Sequence, residues 1–376
     1  MTSLSDRSGR NDDRIPVYIN GRFLSQGVTG VQRHATEVVR ALDRLLTRGP
    51  YAPAPPWSLL VPPNAREFAG LGSIVVRRVG RLRGHLWEQL ELPRFARAGL
   101  LLNFANAAPL SQRRQIVTIH DASVFAVPDA YTPAFRLWYR FLLPRIGKRS
   151  KLVLTDSEFS RSELADRAGI PLARQRVVHL GCDHILSAPA DEAIFTLHGI
   201  GDRPFILAVG SPSPHKNIAM AAGAITQLSS LNCVLVVAGG ANPAIFKDAE
   251  LRRLDRVRWL GFVSDAALRA LYERAVCFVY PSLYEGFGLP PLEAMACGCP
   301  TLVARAASLP EVCGDASLYF DPLDPADLAR AIEQVVSSEA LRNDLRARGL
   351  ERARGFLWDS TARTTLDSVL ETLQGT

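Results

Sequence analysis

The 376-residue chain lacks the long apolar runs of an integral membrane protein. A membrane-spanning helix needs about 20 predominantly apolar residues, whereas the most apolar stretch here, 98–110, is interrupted by two asparagines and a proline. Residues 1–14 are mostly polar and have no apolar centre, so they do not resemble a secretory signal and are predicted to form a disordered tail. We therefore expect a cytoplasmic protein.

Cysteine is scarce, and its spacing gives no sign of a metal site. Of the six cysteines only Cys297 and Cys299 lie close together, and no second pair stands at the spacing of a structural zinc site. Free cysteines are usually buried, so all six are predicted to be buried thiols in a reducing compartment.

Positive charge is unevenly distributed, although the whole chain carries only +7. Residues 1–186 contain 27 Lys and Arg against 15 Asp and Glu, a balance of +12, whereas residues 187–376 contain 17 against 22, a balance of −5. A basic half indicates a nucleic acid, a phosphate-bearing ligand or an anionic membrane as partner, unless the composition is simply arginine-rich. The chain has no nucleic-acid reader motif and no interleaved aromatics, so we expect no nucleic-acid partner.

Short apolar runs alternate with amphipathic helical stretches, which predicts α/β layers on parallel sheets. The first unit is a strand at 15–20, a glycine-containing loop at 21–30 and a helix with apolar residues at helical spacing from Val31. A segment broken by Pro and Gly around 184–204 predicts a linker. Further strands are predicted at 57–61, 73–79, 100–104, 116–120, 151–157 and 176–180 before the linker, and at 205–211, 233–240, 257–263, 276–282 and 301–306 after it.

The predicted fold is therefore two Rossmann-like, doubly wound domains in series. We predict a tail at 1–14, an N-terminal domain at 15–186, a C-terminal domain at 187–355 and a closing helix at 356–376. Open parallel sheets bind ligands at the carboxyl ends of their strands, so the two domains are expected to face one another across a central cleft.

The segment 280–305 runs strand, loop, helix, strand and carries two carboxylates, Glu285 and Glu293. Gly286 and Gly288 allow backbone conformations and a close ligand approach that other residues do not, and the two prolines that follow suit the first turn of a helix. The free amides and the positive end of the helix dipole form a natural phosphate site. Glu293 is placed to accept hydrogen bonds from a vicinal diol such as ribose; a glycine-rich turn with a buried capping acid would explain the same residues structurally.

The second candidate segment is 210–217, where a strand ends at Gly210 and a helix is predicted to start near Lys216. A cation at a helix N-terminus is unfavourable unless an anion is bound there. Lys216 would then stabilise the charge on a departing nucleoside diphosphate. The alternative is a solvated surface lysine.

These two segments, at this separation, resemble the retaining glycosyltransferases of family 4, which have the GT-B fold and include bacterial polysaccharide and lipid mannosyltransferases. The resemblance covers nearly the whole chain, including 308–332 and 356–362, which opens a last helix that crosses back onto the N-terminal domain. It implies that the N-terminal domain binds the acceptor and the C-terminal domain binds the nucleotide-sugar. It further implies that Glu293 holds the ribose, that Glu285 contacts the donor sugar, and that loop amides and Lys216 cradle the diphosphate. The residues implied for donor binding are Gly30, Gly210, Lys216, Glu285, Gly286, Phe287, Gly288, Leu289 and Glu293.

In the N-terminal half, 27–39 resembles the family's glycine loop and first helix, although any strand–loop–helix turn can use glycines. His120 and Asp121 follow a predicted strand and are expected to face the cleft. The resemblance places His120 beside the donor sugar, so His120, Glu285 and Asp121 are the candidate catalytic residues. Asp121 could orient the imidazole, bind the acceptor or only cap a helix. Ser157 is predicted to be a helix N-cap, and 85–93 resembles the acceptor-side region without an assigned role.

The chain departs from the family after the strand glycine, where many members have arginine and this chain has Ser211. A related subset has an Arg-Lys pair where His215 precedes Lys216 here, so diphosphate binding would rest on Lys216 with fewer cationic helpers, or on a residue such as Arg33. The chain also has no Asp-x-Asp motif, through which transferases of the other main fold hold Mn²⁺ or Mg²⁺. We expect no metal and no cofactor beyond the nucleotide-sugar co-substrate.

The resemblance implies transfer of a hexose to a saccharide or lipid-diphosphate-linked saccharide in the biosynthesis of a surface polysaccharide such as lipopolysaccharide or exopolysaccharide. GDP-mannose is the first expectation for the donor, and UDP-sugars are the alternative. A sugar-nucleotide epimerase of the same fold is a second hypothesis, because it binds the same donor without an acceptor. The basic half, including Arg77, Arg78, Arg81 and Arg83, is expected to contact an anionic inner membrane peripherally.

Overall fold

A computed structural model describes residues 15–49, 55–211, 213–228, 231–240 and 256–375. The predicted tail at 1–14 lies outside these residues. Two parallel sheets, each flanked by helices, follow one another along the chain. This arrangement confirms the predicted pair of Rossmann-like domains.

Within the described residues, seven strands form the first sheet in the order β3-β2-β1-β4-β5-β6-β7, and every neighbouring pair is parallel. The central strands are almost fully buried because helices cover the sheet. The strands are β1 (Val17–Asn20), β2 (Trp57–Val61), β3 (Ile74–Arg78), β4 (Leu100–Asn103), β5 (Gln115–Thr118), β6 (Leu152–Thr155) and β7 (Gln175–Val177).

The second sheet has six strands among the residues described, also all parallel, in the order β10-β9-β8-β11-β12-β13. The strand order reverses beside β8 and β11, and ligands of open sheets bind outside the carboxyl ends of strands at such a point. The strands are β8 (Phe205–Val209), β9 (Val234–Ala238), β10 (Val257–Gly261), β11 (Cys277–Tyr280), β12 (Thr301–Ala304) and β13 (Ser317–Phe320).

The helices of the first half include two long ones, α1 and α5, and a composite segment in which α2 and α3 are joined by a π-helical turn at Trp87–Glu91. Short 3-10 turns stand at Gly21–Ser25, inside the predicted loop, and at Asp183–Leu186, inside the predicted linker. The helices are α1 (Gly30–Arg48), α2 (Gly84–Leu86), α3 (Leu92–Phe95), α4 (Ser123–Ala126), α5 (Pro133–Arg149) and α6 (Glu158–Ala168).

The helices of the second half end in α14, which returns to the first half and packs against α1. Arg44 of α1 pairs with Asp359 of α14 at 2.6 Å, and the hydroxyl of Thr361 donates to the carbonyl of His179 at 2.8 Å. The helices are α7 (Ala193–Leu197), α8 (Ile218–Gln227), α9 (Asp265–Arg274), α10 (Leu289–Ala296), α11 (Leu309–Cys313), α12 (Pro325–Ser337), α13 (Glu339–Arg354) and α14 (Trp358–Gln374).

Two local predictions need correction. The helix expected to start near Lys216 begins instead at Ile218, because Asn217 has a left-handed backbone (φ 54°) and ends a 3-10 turn at Pro214–Lys216. Cys297 is half-buried, whereas the other five cysteines are buried as predicted. Burial raises the pKa of all six thiols, which keeps them protonated.

Candidate functional site

The clearest feature of the cleft is an ion pair at the carboxyl end of β11. Glu285 lies in the loop between β11 and α10, and its Oε1 accepts hydrogen bonds from the Lys216 ammonium at 2.7 Å and the Tyr280 hydroxyl at 2.8 Å. Burial by itself would raise the pKa of Glu285, but the Lys216 charge and these hydrogen bonds hold the pKa below its ordinary value. Glu285 is therefore ionised at neutral pH and compensates the Lys216 charge. Lys216 itself lies in a 3-10 turn and not at the helix N-terminus that the sequence predicted.

The loop after Glu285 presents backbone amides at the start of α10. Gly288 has a left-handed backbone (φ 105°), and a Cβ there would lie 2.6 Å from the Leu309 side chain. The Ser308 hydroxyl donates to the carbonyls of Glu285 and Phe287 at 3.0 and 2.8 Å, which fixes the direction of the peptides. Among the described residues the amides of Phe287, Gly288 and Leu289 have no acceptor. Free amides at a helix start suit a phosphate group.

Glu293, in the second turn of α10, is held by two side chains from other elements. Its Oε1 lies 3.0 Å from Nε2 of His184, and its Oε2 accepts from the Tyr272 hydroxyl at 3.3 Å. Nδ1 of His184 accepts the indole N–H of Trp358 at 3.1 Å. Because an indole nitrogen only donates, His184 carries its proton on Nε2 and donates to Glu293. The Trp358–His184–Glu293 chain thus fixes the carboxylate at the cavity wall.

His120 lies just beyond β5, and both of its ring nitrogens have partners within the first half. Nδ1 lies 2.7 Å from Oδ2 of Asp156, and Nε2 lies 3.1 Å from the carbonyl of Phe104. Burial alone would lower the pKa of His120, but the Asp156 carboxylate raises it above the ordinary value. The ring of His34 stands edge-on to His120 at 4.7 Å, and burial lowers the pKa of His34 well below its usual range.

Asp121 has a local hydrogen bond rather than a contact with the imidazole. Its Oδ1 accepts the N–H of Ser123 at 2.7 Å at the start of α4. Of the three roles considered for Asp121, orienting the imidazole is wrong, because Asp156 has that position. The capping contact is present, and Asp121 also lines the cleft.

The two halves meet at Gly286. The hydroxyls of Ser157 and Ser160, at the start of α6, donate to the Gly286 carbonyl at 2.6 and 2.9 Å. A Cβ on Gly286 would come within 2.7 Å of the His120 carbonyl oxygen, so only glycine permits this approach. Ser157 also accepts the Ser160 N–H at 3.0 Å, which confirms its predicted N-cap role.

Residues of both halves line one cavity of about 380 Å³. Gly210 does not line it: the Gly210 amide donates to the Ala238 carbonyl at 3.0 Å, and the neighbouring Val209 lines the cavity. The donor-binding role of Gly210 stays a prediction. Arg33 does line the cavity and pairs with Asp265 at 2.5 Å. The other predicted site residues in the lining are Gly30, His120, Asp121, Lys216, Glu285, Gly286, Phe287, Gly288, Leu289 and Glu293.

Several functional contacts were missed at the sequence level. Asp156 follows β6 as His120 follows β5, so their adjacency was available from the expected strand order. His184, Tyr272 and Trp358 carried no such signal, because they approach Glu293 from a 3-10 turn, α9 and α14. In the described part of the chain no cluster of three or more metal-ligating side chains occurs, and no helix there could cross a membrane.

Comparison with known proteins shows the family to which the chain belongs. Residues 191–352 match the family model "Glycosyl transferases group 1". An O-antigen chain mannosyltransferase B from Escherichia coli is 35% identical over 274 residues, which are 69% of this chain and 71% of that protein. The chain belongs to the group 1 glycosyltransferases. This confirms the prediction that the chain is a glycosyltransferase with the GT-B fold.

Two further proteins are similar to this glycosyltransferase. The O-antigen chain mannosyltransferase RfbU from Salmonella typhimurium is 30% identical over 293 residues, covering 72% of this chain and 79% of that protein. The crystal structure of WaaG, a glycosyltransferase involved in lipopolysaccharide biosynthesis, has a TM-score of 0.71 at 17% identity and covers 94% of this chain and 99% of that one. The latter likeness supports the GT-B fold alone.

Proposed function

We propose that this glycosyltransferase transfers mannose from GDP-mannose to a saccharide or lipid-linked saccharide during synthesis of a cell-surface polysaccharide. The observation that carries the proposal is the convergence in one cavity of the Lys216–Glu285 pair, the free amides of Phe287–Leu289 and the anchored Glu293. The named activities of the O-antigen relatives from Escherichia coli and Salmonella typhimurium support mannose as the sugar.

In this proposal the diphosphate lies against the α10 amides and Lys216, and the ribose diol donates to Glu293. The bond between the anomeric carbon and the phosphate oxygen breaks, and its electron pair leaves on the diphosphate. Lys216 and the amides stabilise that charge. The acceptor oxygen attacks the same face of the sugar and gives its proton to the departing phosphate oxygen, so the configuration is retained.

Glu285 and His120 act by charge and position in this scheme. Glu285 is already paired with Lys216, so it orients that ammonium and can accept a hydrogen bond from a hydroxyl of the donor sugar. His120 stands across the cleft with its carbonyl against Gly286. The Asp156 carboxylate that raises the pKa of His120 also compensates the charge of the ring, so in this scheme His120 acts by holding its backbone against the Gly286 loop.

Thermal denaturation with GDP-, UDP-, ADP- and dTDP-sugars tests the donor. A ligand that binds only the native state raises Tm by mass action, and we expect the largest increase with GDP-mannose. Glu285→Gln should retain most of that increase but lose at least about 100-fold in transfer rate, since it removes charge at the reacting sugar. The matched control is Glu333→Gln, at an exposed position on α12.

The outcomes separate the alternatives. A larger Tm increase with a UDP-sugar would replace the donor while keeping the enzyme class. Conversion of GDP-mannose into another nucleotide-sugar without acceptor would identify an epimerase. Equal transfer rates for wild type and Glu285→Gln would contradict the proposed site.

We also propose that the lipid-linked acceptor is met at an anionic membrane surface. Residues 74–97 contain six arginines and two glutamates, and α5 contains five basic residues and no acid. Large apolar side chains are exposed beside these charges, including Leu86, Leu90, Leu137 and Phe141. The His85 ring contacts Trp138 at 5.5 Å and so joins the two segments into one surface, called here the basic apolar surface. Apolar side chains among cations suit anionic lipid.

A further inference from the structure

A second cavity, of about 520 Å³, adjoins the first on the side of the N-terminal half. The two cavities share Thr29, Val31 and Asp121, and the described residues of the second all fall between Gln26 and Leu143. Its volume lies in the ~300–1,000 Å³ range of small-molecule sites. A molecule in the second cavity would therefore meet a donor sugar at Asp121.

One part of the wall is a stack of three aromatic rings. Tyr131 and Phe135 have ring centroids 5.1 Å apart and 7° between planes, and Phe135 and Tyr139 are 4.2 Å apart with 21° between planes. Phe135 and Tyr139 are four residues apart and therefore lie on successive turns of α5, whereas Tyr131 stands two residues before the helix begins at Pro133. Phe135 is 41% exposed, a large apolar surface left open beside the cavity. Aromatic surface of this kind packs against the C–H groups of a pyranose ring.

The inner ring of this stack is fixed from behind. Tyr139 is buried and lies close enough to Arg22 for that charge to act on its hydroxyl, and the Arg22 guanidinium lies 2.9 Å from the carboxylate of Glu88. Burial by itself would raise the pKa of Glu88, but the Arg22 charge holds it below the ordinary value, so the pair is ionised. A wall held by a buried ion pair needs little ordering when a ligand binds.

The rest of the wall offers hydrogen bonds without positive charge. Side-chain amides and a hydroxyl line this part, from Gln26, Gln32, Asn106 and Ser123. Nε2 of Gln32 donates to Oε1 of Gln26 at 3.1 Å. The described lining contains Asp121 but no Lys, Arg or His. The donor cavity, by contrast, includes Arg33, His120 and Lys216. A phosphate or carboxylate would meet a carboxylate and no cation in the second cavity.

We infer that the second cavity is the acceptor subsite and takes a neutral terminal sugar, whose ring packs on the aromatic stack and whose reacting hydroxyl lies at Asp121. Any phosphate of a lipid-linked acceptor then stays outside this cavity. The inference rests on the proposed glycosyl transfer and adds the chemical class of the acceptor's terminal sugar.

Saturation-transfer NMR tests this subsite without knowledge of the natural acceptor. The aromatic ring protons of the protein are saturated in the presence of GDP, and the probes are methyl α-mannoside, methyl β-galactoside, methyl N-acetylglucosaminide and mannose 6-phosphate. We expect transfer to at least one neutral glycoside and none to mannose 6-phosphate. Phe135→Ala should weaken glycoside binding about tenfold, whereas Phe135→Trp should retain it.

Leu172→Ala is the control, because Leu172 is 48% exposed and lies outside both cavities. Unchanged glycoside binding in Phe135→Ala, stronger transfer to mannose 6-phosphate than to the neutral sugars, or no glycoside binding to wild type would overturn the inference. The GDP-induced rise in Tm is recorded on the same samples. If GDP stabilises the protein while glycosides do not bind, the acceptor inference fails alone; if GDP has no effect, the donor proposal fails.

Discussion

At the scale of single residues, the cleft contains ionised groups that compensate one another before any substrate arrives. Lys216 and Glu285 are mostly buried, with side-chain exposures of 20% and 13%. Removing one member of such a pair leaves the other charge buried and uncompensated. The pair is therefore a part of the fold as well as of the proposed donor site.

Lys216→Met should lower the free energy of unfolding by about 3 kcal/mol at neutral pH. The native pKa of Glu285 lies below its ordinary value, so the ionised pair stabilises the wild type above that value, and this stabilisation is lost as pH falls through the lowered pKa. The difference between variant and wild type should accordingly shrink in acid. Urea denaturation at pH 7 and pH 4 measures it, with Lys151→Met, at an exposed lysine, as control. The same difference at both pH values would contradict the assignment.

The Trp358–His184–Glu293 chain allows a second residue-scale prediction. Trp358→Phe keeps an aromatic ring but removes the N–H that fixes the His184 tautomer. Loss of one hydrogen bond amounts to about 0.5–1.5 kcal/mol, so KM for the donor should rise about two- to tenfold while kcat changes little.

Trp57→Phe is the matched control for this kinetic measurement, because the Trp57 indole N–H is buried without a partner. His184→Ala should raise KM further than Trp358→Phe. Equal KM values for wild type, Trp358→Phe and His184→Ala would show that Glu293 does not depend on this chain.

At the scale of secondary-structure elements, α6 and α11 join the two halves beside the loop between β11 and α10. The Glu311 carboxylate of α11 accepts the amides of Glu158 and Phe159, at 2.8 and 3.0 Å, in the first turn of α6. Burial would raise the pKa of Glu311, but His179 and these amides hold it below its ordinary value. A carboxylate from one half thus caps a helix of the other.

Glu311→Ala should expose those two amides, because a lost cap costs about 1 kcal/mol. Their hydrogen exchange should quicken roughly fivefold at neutral pH. In the wild type the cap is present above the ordinary carboxyl pKa and is lost as pH falls through the lowered value, so the two proteins should converge in acid. Glu333→Ala is the control, and protection of the α6 amides that survives in Glu311→Ala would contradict the capping role.

Most strands were predictable from sequence, because apolar runs alternate with turns. The position of the loop between β11 and α10 was also predictable, because Glu285 and Glu293 follow a buried strand. The start of α8 was not, since the left-handed Asn217 interrupts a segment with helical spacing. β13 and the aromatic α5 were also not predicted. Contacts such as Trp358 with His184 join residues 174 positions apart, and no local pattern determines such a pairing.

At the scale of the whole molecule, much of the excess positive charge of residues 1–186 lies on the basic apolar surface. The basic apolar surface and the second cavity belong to the same half of the molecule. Tyr139 connects them, because it lines the cavity and its ring centroid lies 6.0 Å from that of His85. A lipid-linked glycan in an anionic bilayer would thus lie near the cavity proposed for its terminal sugar.

The triple variant Arg77→Gln, Arg81→Gln, Arg83→Gln should bind anionic vesicles about 100-fold more weakly, at roughly 1 kcal/mol per cation. Vesicle flotation at low and high salt measures this. An equal charge change at Arg330, Arg354 and Arg363, which are exposed on α12, α13 and α14, is the control. Equal binding of wild type to neutral and anionic vesicles would contradict the membrane proposal.

The return of α14 has a consequence for dissecting the enzyme. His184 precedes the second sheet and Trp358 follows it, yet His184 contacts the Glu293 carboxylate in the cavity wall and Trp358 holds His184 in place. A fragment cut to the boundaries of the C-terminal Rossmann unit would keep Glu293 but leave behind the imidazole and the indole that hold it. Any graft of that unit onto another N-terminal half must therefore carry both flanking segments with it.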